Sequence, residues 1–194
     1  PPLSEGDVVV VGNGNVALDV ARILLSDPSR LVETDVSRTA LRHIERAQVR
    51  RVRIVGRRGP LDAPFASKEL REITRLPSVR VRVENMGADG AEASDPRVGR
   101  NLEILRNASE AGAGEATSEL VFSFHRRLTS VDGGHRVESV TYTPNDPAHP
   151  SVDGEGGQAG DETVAASVVV FAIGSAGVPV SVLAFDQERG GLEN

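Results

Sequence analysis

Two short stretches of the 194-residue chain carry residue types whose spacing can do chemistry. The first is Gly12-Asn13-Gly14-Asn15-Val16-Ala17, which fits G-x-G-x-x-A directly after the apolar run Val8 to Val11 and at the head of a helix-spaced series. In that setting Gly12 permits a tight turn, Gly14 lets a pyrophosphate approach the backbone, and Ala17 lets helix and strand pack closely. The helix start turns free N–H groups toward the anion, and Asn15 can add a side-chain donor. The second stretch is Gly56-Arg57-Arg58, which ends a later strand-like segment. An acidic residue at such a strand end accepts a hydrogen bond from the ribose 2′-OH of NAD, whereas arginine accommodates the 2′-phosphate of NADP. The pair of turns therefore predicts NADP(H) as the cofactor. The plainer alternatives are a glycine-rich βα turn of unrelated purpose and two solvated arginines.

The elements that must position these turns follow from periodicity. Residues 7–11 (DVVVV) read as a strand buried on both faces, as in a parallel sheet. Val16, Val20 and Leu24, with Ala17 and Ala21, repeat at helical spacing from Asn15 until Asp27-Pro28 stops the helix. Asp35 can cap a second helix through about Arg46, with Val36, Ala40, Leu41 and Ile44 on one side. That helix lengthens the crossover, so Arg57 and Arg58 come later than the usual interval of about twenty residues. Arg51 to Val55 reads as a strand, Ala66 to about Leu76 as a helix stopped by Pro77, and Val79, Val81 and Val83 as a third strand. After a loop, Val98, Leu102 and Leu105 suit one helix face, and residues 107–118 form a small-residue linker. Val121 to Val131 and Val137 to Thr143 then read as a hairpin across Asp132-Gly133-Gly134, and Val168 to Ile173 as a buried strand ending at Gly174. The fold class predicted is α/β, a Rossmann-like parallel sheet with an antiparallel β excursion.

Composition narrows the function. No run of about eighteen apolar residues exists to span a bilayer, and no basic leader precedes the first strand, so a cytoplasmic protein is expected. With Cys at 0, disulfides, thiolate metal sites and iron–sulfur clusters are excluded from the chain, and redox chemistry requires a bound organic cofactor. A net charge of −6 argues against non-specific nucleic-acid binding. Lys68 is the sole lysine, and Arg50, Arg51, Arg53, Arg57 and Arg58 cluster. His43, His125, His135 and His149 have no metal-ligand spacing, and no metal is expected. Glu69 and Glu72 lie one helical turn apart, with Lys68 placed to pair with Glu72, which by itself reads as a solvated face. Ser67 reads as a helix cap.

Val10 to Leu25 (VVGNGNVALDVARILL), Thr34-Asp35 and Ile54 to Ile73 (IVGRRGPLDAPFASKELREI) together resemble the NADPH-binding part of ferredoxin–NADP⁺ reductases of the adrenodoxin reductase type. The likeness is strongest from residue 8 to about 84 and continues more loosely to the end. It implies two dinucleotide-binding domains, one for FAD and one for NADPH, the second inserted into the first, with electrons passing from NADPH to FAD and on to a ferredoxin. It implies the pyrophosphate near Gly14, Asn15 and Val16, the 2′-phosphate near Arg57 and Arg58, and Glu69 near the nicotinamide end. Glu72 matches an acidic position associated with events close to the flavin, and is the candidate catalytic residue. Ser175 and Ala176 depart from an aromatic and a basic residue usual in the family after the glycine of the last strand. The domain organisation expected is an NADPH-binding domain over 1–174, with a parallel core over about 7–84 and a helix and antiparallel hairpin over about 97–143, followed by a return segment over 175–194 toward an absent FAD domain. The chain opens on Pro1-Pro2, with no second fingerprint ahead of Val8, so FAD is expected only in a longer enzyme and the chain alone is expected to be inactive. Two alternatives share these residues: a free-standing NADP-binding sensor, and the NADPH domain of a related flavoenzyme such as a glutamate synthase small subunit.

Overall fold

The computed structural model describes residues 7–86, 95–111, 114–145 and 160–174, with the backbone of two short strands at 185–186 and 191–192. The chain runs β1 (Asp7–Val11), α1 (Asn15–Leu25), α2 (Pro28–Leu31), α3 (Arg38–Ala47), β2 (Arg51–Val55), α4 (Ser67–Ile73), β3 (Val79–Glu84), α5 (Pro96–Glu110) and β4 (Ser118–Ser123). It continues through β5 (Arg126–Asp132), β6 (Ser139–Pro144), β7 (Glu162–Ala165) and β8 (Val168–Phe171). Five strands form a parallel sheet in the order β3-β4-β2-β1-β8, and β5-β6-β7 form a separate antiparallel sheet.

Side-chain alternation explains the layering. Val8 and Val10 point with Val52, Ile54, Leu120 and Phe122 into a core shared with Ala17, Leu18 and Leu70 of the helices. Val9 points the other way, into a second core with Val55, Val140, Tyr142 and Ala166. Strand β1 is thus buried on both faces, by helices on one side and the antiparallel sheet on the other. This is the α/β parallel sheet with an antiparallel excursion that the sequence predicts. Among the described residues no helix is long and apolar enough to cross a membrane.

Several expectations need correction. The stretch 121–131 is not one hairpin strand. Residues 118–123 form β4, which lies between β2 and β3 with Leu120, Val121 and Phe122 fully buried, and the chain breaks at His125, whose φ is +52°. The alternating pattern runs on across this break, so periodicity alone joins two strands that belong to different sheets. Strand β8 ends at Phe171 and is not fully buried: it pairs with β1 at the sheet edge, leaving Phe171 60% and Ile173 72% exposed. Asp27-Pro28 starts α2 rather than only stopping α1, since the Asp27 carboxylate accepts from Ser29 N–H at 2.9 Å. Helix α3 is capped by Ser37, whose Oγ accepts from Ala40 N–H at 3.2 Å, and not by Asp35. Ser67 is not a cap either. The N-cap of α4 is Ala66, and Ser67 Oγ is buried without a partner among the described residues. Helix α5 reaches Glu110, so the linker expected from 107 begins later.

The arginine cluster divides. Arg51 bonds Asp7 at 2.9 Å and Glu119 at 2.7 Å, at the end of the sheet where the strands begin. Arg53, only 7% exposed, pairs with Glu84, which also takes Arg82 and, at 3.0 Å, Ser123 Oγ. Burial alone would raise the Glu84 carboxyl, but Arg53, Arg82 and Ser123 outweigh it and hold the group below the usual carboxylate range. Glu84→Gln strands the Arg53 charge and is expected to cost about 3 kcal/mol at neutral pH. Because the folded value is depressed, this stabilisation is present above the unfolded value of about 4.3 and is lost as pH falls through the folded one. Urea unfolding of the two proteins should therefore show a gap at pH 7 that closes in acid. Equal stability at pH 7 would show that the pair contributes nothing.

Candidate functional site

The two turns singled out in the sequence meet. Where the strands of the parallel sheet end, a cavity of about 820 Å³ is lined by Gly12, Gly14, Asn15 and Val16 from the first turn and by Arg57 and Arg58 from the second. Ligands of open parallel sheets bind at this end, and the volume is that of a small-molecule pocket.

The two glycines of the first turn have different reasons for being glycine. Gly12 sits at φ +118°, its N–H donates to Val55 O at 2.8 Å, and a Cβ there would overlap the Ala172 carbonyl. The fold itself requires Gly12, because the chain leaving β8 passes against it. Gly14 is extended, at φ −99° and ψ −178°, and a Cβ there would meet only Pro64 Cγ at 3.8 Å. Nothing in the fold excludes a side chain at Gly14. Its bare backbone opens on the cavity, where a bulky group can approach it. Gly14 is also the N-cap of α1, with no side-chain cap, so the first turn of this helix presents N–H groups to an anion.

The remaining residues of the first turn divide by role. Ala17 is 0% exposed and packs in the core beneath the turn, outside the lining. Val16 is exposed at the rim. Asn15 Oδ1 accepts from Ala66 N–H at 2.8 Å, tying the turn to the start of α4 and leaving its amide nitrogen, the donor end, for the cavity.

Arg57 and Arg58 have exposed side chains on a loop whose backbone is held from both sides. Gly56 N–H donates to Ser123 O at 2.9 Å, and Arg126 N–H donates to Gly56 O at 3.1 Å. Arg126 and Arg127 also line the cavity, giving four arginines on a lining that includes the Asp62 carboxylate, with Arg126 also paired to Glu162 at 3.8 Å. A site so charged attracts a polyanion. Sequence reasoning missed Arg126 and Arg127. The signal that would have found them is the one used for Arg57 and Arg58, an arginine pair just past a parallel strand, hidden because β4 was joined to β5.

Glu69 and Glu72 are not brought to the cavity lining. Glu72 faces solvent with Lys68 4.0 Å away, the pairing expected from their spacing. Glu69 buries Oε2 without a partner among the described residues. Ser175 and Ala176 lie outside the described residues. Among the described residues no group of three or more His, Cys, Asp or Glu could hold a metal ion.

No family model matches the chain. Its whole length aligns with curated proteins, however. The NADPH-ferredoxin reductase FprA of Mycobacterium tuberculosis is 37% identical over 204 aligned positions, covering 100% of this chain and 44% of that protein. The mitochondrial NADPH:adrenodoxin oxidoreductase of Drosophila melanogaster is 34% identical over 200 positions, covering 100% of this chain and 41% of that protein. The chain thus spans less than half the length of these relatives. Among solved structures, Mycobacterium tuberculosis FprA in complex with NADPH superimposes with a TM-score of 0.83 at 36% identity, over 100% of this chain and 44% of that one.

Proposed function

We propose that this chain, homologous over its whole length to the NADPH-ferredoxin and adrenodoxin reductases, is the NADP(H)-binding portion of a flavin-dependent ferredoxin reductase. The observation that carries the reading is the convergence, in one cavity, of Gly14's open backbone with Arg57 and Arg58. In this reading Gly14, Asn15 and Val16 hold the pyrophosphate at the start of α1, Gly12 and Ala17 shape the turn, and Arg57 and Arg58 hold the 2′-phosphate. NADPH, when bound, supplies a hydride for FAD carried by the rest of the enzyme, and the electrons go on to a ferredoxin in the cytoplasm. Hydride transfer needs donor and acceptor atoms about 3–3.5 Å apart, so the contribution of these residues is orientation. Residues 1–174 form the NADP(H) domain and 175–194 the return toward the flavin portion. On the resemblance to the reductases, Glu69 would serve the nicotinamide end and Glu72 the proton or hydride step at the flavin, although neither lines the cavity.

The chain alone is expected to bind NADP⁺ more tightly than NAD⁺, to be colourless, and to reduce neither ferredoxin nor a dye. A longer polypeptide that includes the flavin portion should do both with NADPH. Calorimetry and absorbance spectra decide. A 194-residue chain that purified yellow with stoichiometric FAD would overturn the reading and turn Gly12 to Ala17 into a flavin site.

A further inference from the structure

Beyond the Arg126 and Arg127 side chains of β5 on the cavity wall, the proposed function leaves the antiparallel sheet without a task. Its hydrogen bonds to the arginine loop supply one. Asn145, directly after β6, donates from Nδ2 to Arg57 O at 2.8 Å, while its own N–H donates to His125 O at 2.9 Å. His125 N–H donates to Arg58 O at 3.3 Å, and Arg126 N–H to Gly56 O at 3.1 Å. Three successive carbonyls, those of Gly56, Arg57 and Arg58, are thus engaged by chain that belongs to the antiparallel sheet or leads into and out of it. The His125 ring completes the contact. It stands at the break between β4 and β5 and packs on Gly59, where a Cβ would lie 2.6 Å from Nε2 and 2.8 Å from Cε1. Gly59 is buried at φ −73°, so the ring, and not backbone strain, is what excludes a side chain there.

An exposed loop carrying two long side chains loses binding free energy each time its backbone must be ordered around a ligand, and fixing that backbone beforehand removes the cost. We propose that Asn145 and His125 are positioning residues for nucleotide choice: they hold the Arg57-Arg58 backbone so that both guanidinium forks meet the 2′-phosphate. The inference rests on the reading that this loop binds that phosphate. Neither residue contacts the nucleotide in this account. Their effect therefore falls on NADP(H) and spares NAD(H), whose ribose has no phosphate for the loop to hold.

The test is calorimetry of NADP⁺ and NAD⁺ on the 194-residue chain and its variants, with circular dichroism to confirm folding. Asn145→Leu removes the donor at nearly constant size and should weaken NADP⁺ about 3- to 10-fold while NAD⁺ stays within about twofold. Gly59→Ala pushes against the ring and should do the same without touching Asn145. His125→Gly, which removes the ring and suits the positive φ, should likewise lower the preference for NADP⁺, and an unchanged preference would remove the ring from the positioning role. If Asn145→Leu and Gly59→Ala leave the ratio of the two affinities unchanged while Arg58→Ala lowers it, positioning is refuted and the 2′-phosphate assignment stands. Equal weakening of both nucleotides would likewise refute it, as a general loss of structure. A parent chain that did not prefer NADP⁺ would overturn the assignment and this inference with it.

Discussion

Gly14→Val is expected to yield a folded protein that binds neither NADP⁺ nor NAD⁺. The backbone at Gly14 is ordinary extended chain, and the single neighbour of an added Cβ is Pro64 Cγ at 3.8 Å, so a Cβ there is accommodated without strain. Valine at an N-cap costs a few tenths of a kcal/mol relative to glycine, up to about 1 kcal/mol. In the proposed reading the methyls enter the cavity where the pyrophosphate comes within hydrogen-bond distance of the first turn of α1. Losing two charge-assisted hydrogen bonds at about 1.5–3 kcal/mol each amounts to more than about 100-fold in affinity, for both nucleotides alike. Gly12→Ala is the contrasting control. With φ at +118° and the Ala172 carbonyl in the way, it should lower the melting temperature as well as affinity. Thermal unfolding and calorimetry on the two variants separate a glycine needed by the fold from one needed by a ligand. A folded Gly14→Val protein with unchanged affinity would show that the turn has no part in binding.

What could be read in the sequence was local, and what could not was set by partners far along the chain. DVVVV followed by G-x-G-x-x-A specifies strand, turn and helix within seventeen residues of the start, and the structure has β1 and α1 where that pattern puts them. Arg53 and Arg57 are the same residue type four positions apart, yet one is buried against Glu84 and the other lines the cavity. No local feature separates them, because the partner of Arg53 lies 31 residues away. The start of α4 is held by Asn15, 51 residues earlier, a partner that no local pattern around Ser67 reveals. The break at His125 is hidden for a related reason: its positive φ follows from the antiparallel sheet that the next residues enter, and histidine does not advertise that conformation as glycine would. Once β4 is recognised as a parallel strand, Arg126 and Arg127 fall at its end and join the site.

Arg57→Ala and Arg58→Ala are each expected to weaken NADP⁺ about 10- to 150-fold, from the loss of one charge-assisted phosphate contact worth about 1.5–3 kcal/mol, while barely changing NAD⁺. The selectivity of the effect follows from how the loop is held. The carbonyls of both residues are engaged by Asn145 and His125, so removing either side chain leaves the backbone in place and the pyrophosphate turn untouched. Arg126 and Arg127 remain on the cavity wall and keep it attractive to a polyanion, so a general collapse of nucleotide affinity is not expected. The double variant should bind the two nucleotides about equally. Because the lost contacts are between exposed charges, the parent's preference for NADP⁺ should itself shrink as salt is raised from 0.05 M toward 0.5 M, over which the screening length falls below about 5 Å. Titration calorimetry of parent, single and double variants at two salt concentrations measures all of this. Equal losses for NADP⁺ and NAD⁺, or a parent that binds NAD⁺ more tightly, would remove Arg57 and Arg58 from the 2′-phosphate and leave them as solvated charge at the cavity rim.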